Sequence, residues 1–156
     1  MGLDMYLKGR RYLADFVDKA DSDRKQAIAD QFPELANIPG SFGDASPVNE
    51  ITIEAGYWRK ANQIHNWFVK NVQHGEDQCQ SHSVSREQLG QLREVCEQVL
   101  ANHKLARELL PTASGFFFGS TDYDEYYFDE IKTTVEIIDR VLALPQAWDF
   151  EYRSSW

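Results

Sequence analysis

Leu3, Met5 and Leu7 alternate with Asp4, Tyr6 and Lys8, and this period of two predicts a half-buried strand. Residues from Ser22 to Phe32 read as a short helix stopped by Pro33. Pro39, Gly40, Gly43 and Pro47 mark the stretch from 37 to 47 as a loop, the best candidate for a mobile one. Ile51, Ile53 and Ala55 alternate with Thr52 and Glu54 as a second strand, which Gly56 is expected to end. From Tyr57 to Gln73 the period changes to that of a helix, with Trp58, Ala61, Ile64, Phe68 and Val72 on one face.

A polar loop from His74 to Ser83 follows. Ser85 with Gln88 three residues on has capping-box spacing, and Val84 with Leu89 can close a hydrophobic staple around it. The helix so opened carries the stripe Leu89, Leu92, Val95, Cys96, Val99 and Leu100. Asn102 and His103 interrupt it, a helical turn or two runs from Lys104 to Leu110, and Pro111 ends it. The apolar run between Gly115 and Gly119 predicts a short buried strand. A long helix is expected to begin at Thr121, which has capping-box spacing with Asp124, and to run to about Leu144, where Pro145 stops it. Its inner face holds Tyr127, Phe128, Ile131, Val135, Ile138, Val141 and Leu142. Trp148, Phe150 and Tyr152 alternate with charged residues as a last strand. The expected fold is α+β: one domain over residues 1–156, a small and mostly antiparallel sheet packed against about three substantial helices.

Composition narrows the function classes. The chain has 156 residues and a net charge of −9, which disfavours direct binding to nucleic acid or to anionic membranes. Between Asp122 and Glu151 nine acidic residues face two basic ones. Such a face could imitate DNA, but a solvated, solubilising surface is the simpler reading, and −9 is modest for mimicry. Two cysteines are weak grounds for secretion. The opening residues make no signal peptide, and no apolar run reaches the ~20 residues of a membrane helix, so a cytoplasmic location is expected. Aromatic residues reach 13%, which predicts an aromatic core with rings to spare for recognition.

Three segments are distinctive: Met1-Gly2-Leu3-Asp4-Met5-Tyr6-Leu7, the run from Tyr57-Trp58-Arg59-Lys60 to Trp67-Phe68-Val69, and the run from Leu109-Leu110-Pro111 through Gly115-Phe116-Phe117-Phe118-Gly119 to Tyr126-Tyr127. Together they resemble a family of small proteins encoded by bacteriophages and prophages. The resemblance covers most of the chain outside residues 10–47. It implies expression in an infected bacterial cytoplasm and an accessory role toward a host protein or pathway. It implies no catalytic residue.

The candidate chemistry centres on the 57–73 helix. His65 falls in the middle of its apolar arc, so the imidazole is either a satisfied core group or a general acid/base at the floor of a pocket. Arg59, Asn62 and Asn66 flank that arc and could form a polar wall. Trp67 points the other way; either the 37–47 loop or another element covers it, or it is an exposed aromatic anchor. Asp124 lies on the inner face of the long helix, as a cap or as a partner of His65 or Arg59. Tyr126 and Tyr127 complete the set of candidate binding residues. Gly119-Ser120-Thr121 suggests a phosphate cradle, but the carboxylates of Asp122, Asp124 and Glu125 oppose it. His74, Cys79 and His82 make a weak metal set with no fourth ligand. No cofactor is expected. Two readings stand: a phage accessory protein that binds and modulates a host protein, in host takeover or counter-defence, or a small-ligand binder or small enzyme with a pocket around His65.

Overall fold

The computed structural model describes residues 2–40, 46–115 and 118–156. The fold is α+β, with a four-stranded antiparallel sheet and five α-helices where about three were expected. In chain order the elements are β1 (Asp4–Tyr12), α1 (Ala20–Ala29), β2 (Glu50–Arg59), α2 (Asn62–Asn71), β3 (His82–Val84), α3 (Arg86–Ala101), α4 (Ala106–Leu109), α5 (Glu125–Leu142) and β4 (Asp149–Ser155). The strand order is β2-β1-β4-β3, so the last strand lies in the middle of the sheet beside the first. β3 pairs antiparallel with β4, Val84 opposite Phe150 and His82 opposite Tyr152. The chain forms two compact units, Met1–Gly9 with Ile53–Trp156, and Arg10–Thr52.

In the larger unit, alternation decides which side chains meet the helices. Leu3 just before β1, Met5 and Leu7 of β1, and Phe150 and Tyr152 of β4 are buried in one cluster with Ile64 and Phe68 of α2, Leu89 and Leu92 of α3, and Ile131 and Ile138 of α5. Asp4, Tyr6 and Lys8 of β1 alternate with that inward set. Tyr57 Oη donates to Asp4 at 2.5 Å, and its ring lies 5.4 Å from that of Tyr6.

Gly56 does not end β2. The strand runs on to Arg59, and residues 57–59, expected to open a helix, are extended. A Cβ on Gly9 would meet Ile53, and one on Gly56 would meet Leu7. Two steps along β1 thus correspond to three along β2, the signature of a one-residue bulge. Gly56 also lets α5 approach, since a Cβ there would lie 2.6 Å from Ile137 Cγ2. Beyond the bulge Trp58 turns inward and donates from Nε1 to Thr134 Oγ1 of α5 at 2.9 Å. Trp58 is therefore a core residue, as expected, but from a strand.

The α3 start follows the local code. Ser85 Oγ accepts from the Gln88 amide at 3.0 Å and Gln88 Oε1 accepts from the Ser85 amide at 2.9 Å. Arg86 then reaches the far end of α5, donating to the carbonyls of Leu142, Leu144 and Pro145 while its guanidinium sits over the Phe150 ring. α5 begins later than expected: Asp124, not Thr121, is the N-cap and accepts from the Tyr127 amide at 3.1 Å. A strand was expected between Gly115 and Gly119. Phe116 and Phe117 lie outside the described residues, and neither flank is extended in a strand.

The smaller unit is organised by charge. Burial would raise the Asp21 carboxyl, but the bond from Arg24, the Ala14 amide at 3.0 Å and the Arg11 guanidinium at 3.1 Å together hold it below its ordinary 3.8. Among the described residues of this unit, Leu13 and Ala14 are its only buried apolar side chains. Tyr12, Phe16, Val17, Phe32 and Ile38 are exposed. Part of the expected 37–47 loop, residues 41–45, lies outside the described residues.

Candidate functional site

α2 is central to the larger unit, and nearly every side of it is covered. Its N-terminal half buries Asn62, Gln63, Ile64 and His65, and Trp67 and Phe68 follow. His65 does point inward, at 1% exposure. Nδ1 lies 2.7 Å from Tyr152 Oη and Nε2 lies 2.9 Å from Asp77 Oδ2. A carboxylate only accepts, so Nε2 carries the proton and, in the neutral ring, Nδ1 accepts from the phenol. Asp77 is itself held by Trp156 Nε1 at 3.1 Å. The loop that presents Asp77 contains two left-handed residues other than glycine, His74 and Cys79, at φ 57° and 56°.

This Asp–His–Tyr chain has the layout of a catalytic relay but not its access. Tyr152 is fully buried and stacked on Phe68 at 3.9 Å. Burial, with the Asp77 charge behind it, pushes its phenol well above the ordinary value, so the hydroxyl stays protonated and is no nucleophile. The expected pocket floor at His65 is thus a closed polar joint between α2, β4 and the 72–81 loop.

The other candidates separate into latches and walls. Asn62 is buried and fully engaged: Nδ2 donates to the carbonyls of Phe118 and Ser120 at 3.0 and 2.8 Å, and Oδ1 accepts from the Ala113 amide at 2.9 Å. It pins the chain leading to α5 and has no amide hydrogen left to donate to a ligand. Asn66 does similar work, donating to the Pro111 carbonyl at 3.2 Å. Trp67 is not the outward anchor: it is 8% exposed, in edge contact with Phe68, and shares a narrow groove with Leu109, Leu110 and Pro111. Another element covers it, the segment after α4. Asp124 is exposed and caps α5; it meets neither His65 nor Arg59, whose nearest acidic partner is Asp4 at 4.0 Å. Tyr127 is buried and donates to the Leu110 carbonyl at 2.8 Å, whereas Tyr126 is 81% exposed.

Five of these residues still share one concavity. Arg59, Asn62, Asp124, Tyr126 and Tyr127 line a cleft of about 310 Å³ between the end of β2, the start of α2 and the first turns of α5. His65 and Asn66 are not in its lining. Sequence reasoning missed three of its walls, Lys60, Gln63 and Glu130, and weighed Gly119 only as part of a phosphate cradle. Lys60 and Gly119 are both left-handed, at φ 60° and 87°, and pack against one another. Burial, then the neighbouring Asp129 charge, raises the Glu130 carboxyl above its ordinary 4.5. Glu130 was legible: it stands four residues after Tyr126 and three after Tyr127, on the same helix face.

His74 and His82 approach with ring centroids 5.9 Å apart, and Cys79 is a free thiol. Among the described residues no group of three His, Cys, Asp or Glu side chains could hold a metal ion, and no helix is long and apolar enough to cross a membrane. Comparison with known family models, with curated proteins and with solved structures returned no match.

Proposed function

We propose that this protein acts by binding another protein, as a phage accessory factor that engages and modulates a host protein in the host cytoplasm. The observation that carries the reading is the inverted apolar distribution of residues 10–52. Among the described residues, five of the eight exposed large hydrophobic side chains belong to this short stretch, with Phe16 at 84% and Val17 at 78%. Exposed apolar surface of this kind is costly in a monomer and characteristic of sites that a partner covers. The turn that carries Phe16 and Val17 is itself well formed, with the Val17 and Asp18 amides both donating to the Ala14 carbonyl at 2.9 Å. Two hydrophobic side chains on a fixed turn are preorganised for docking, which lowers the entropy lost on binding. The phage role comes from the sequence resemblance alone.

The test is a photo-crosslinking amino acid placed at Phe16, in infected cells. The reading expects one dominant host adduct, lost when Phe16→Asp and Val17→Asp are introduced into a tagged copy used for capture. Scattered adducts, or capture that ignores both substitutions, would sink it. A second reading, small-ligand binding, has the cleft in its favour, but at the mouth of α5 and not around His65.

A further inference from the structure

The cleft beside α5 contains two opposite charges that the fold does not use. Of its acidic residues, Asp124 caps the helix and Asp122 accepts from Ser120 Oγ at 3.1 Å. Glu130 has no hydrogen bond or ion pair to its carboxylate among the described residues, although it is half-buried. Of its basic residues, Arg59 lies 4.0 Å from Asp4. The Lys60 ammonium has no hydrogen-bond or ion-pair partner among the described residues. Lys60 and Glu130 line the same cleft, yet they do not pair with one another.

A half-buried unpaired carboxylate costs stability, and so does a side chain at positive φ, where glycine would be free of strain. Gly119 leaves room for this lysine: a Cβ there would lie 3.2 Å from Lys60 Cβ and 3.6 Å from its carbonyl oxygen. The fold thus maintains a strained residue at the cleft wall, with its ammonium unpaired. The exposed ring of Tyr126 stands at the rim and can lie over a bound cation. The cleft, at about 310 Å³, falls at the small end of ligand sites.

The geometry points to a binding site for a small zwitterion of amino-acid type, its carboxylate toward Lys60 and Arg59 and its ammonium toward Glu130 under Tyr126. Such a ligand satisfies both idle charges at once, whereas a simple amine leaves Lys60 unpaired and a simple carboxylate leaves Glu130 unpaired. The site lies wholly within the larger unit and is independent of docking through Phe16 and Val17.

The experiment is isothermal titration of the full chain with single L-amino acids at millimolar concentration, beside cadaverine as an amine without a carboxylate and glutarate as a carboxylate without an amine. At least one amino acid should bind saturably, and neither probe, each carrying charge of one sign only, should match it. Glu130→Gln and Lys60→Gly should each weaken that binding by about tenfold or more, the loss expected for one charge-assisted contact. Lys60→Gly relieves the positive φ, so lost binding in a variant that melts no lower than the parent cannot be blamed on unfolding. The proposal is overturned if no amino acid binds, if cadaverine or glutarate binds as tightly, or if both variants bind as the parent does.

Discussion

His65 shows how a single residue can carry a catalytic layout and a structural task. Its two nitrogens are matched to one hydroxyl and one carboxylate, and the group that would have to react lies deepest in the core. Replacing His65 with Phe keeps the ring volume but strands the Tyr152 hydroxyl, at a cost of about 1–3 kcal/mol. Urea denaturation measures this, and a variant as stable as the parent would show that the joint is dispensable. Gly56 makes the opposite point, that a missing side chain is a contact. Gly56→Ala drives a methyl into Ile137 and should cost about 1–3 kcal/mol through overpacking. The same denaturation series checks it, with an unchanged midpoint as the contrary result.

At the scale of elements, local codes and tertiary charge clusters differ in what they hold. The Ser85–Gln88 box closes within the first turn of α3, although Gln88 Nε2 also donates to the Asn71 carbonyl, so Ser85→Ala should lower stability by about 1 kcal/mol. A calorimetric scan reads that loss directly. The Asp21 cluster ties α1 to the chain before it. Asp21's carboxyl is held below 3.8 in the folded state, so its contribution is complete above that value and is lost as the pH falls through the lower, folded one. Amide protection in residues 10–30, taken relative to the intrinsic exchange rate at each pH, should therefore fall on strong acidification. In Asp21→Asn the protection should already be low at neutral pH and change little with acid; equal protection in parent and variant would remove Asp21 as the organiser.

For the whole molecule, the two compact units divide the labour. The larger has a dense aromatic and aliphatic core and the cleft. The smaller has little apolar interior and displays its hydrophobic residues. Phe16→Asp with Val17→Asp should thus leave the melting temperature within error of the parent, because neither side chain packs against the protein. A large drop would mean that these residues support the fold and are not offered to a partner. What the chain alone determined is whatever rests on near neighbours. The alternation in β1 and β4, the α3 capping box, the stops before Pro111 and Pro145 and the inward turn of His65 were readable, because each depends on residues within a turn or two, whereas α1 ends at Ala29, short of Pro33. What only the tertiary structure decided depends on distant segments. Gly56 continues a strand because a bulge and Ile137 need it there, and residues 57–59 stay extended because β1 pairs with them. Trp67 is covered by the segment after α4, and helical periodicity, which describes one helix and a single solvent, cannot report that a second element shields the far side. The cleft forms because Lys60 and Glu130, seventy residues apart in sequence, are brought to one hollow by the packing of α5 on the end of β2.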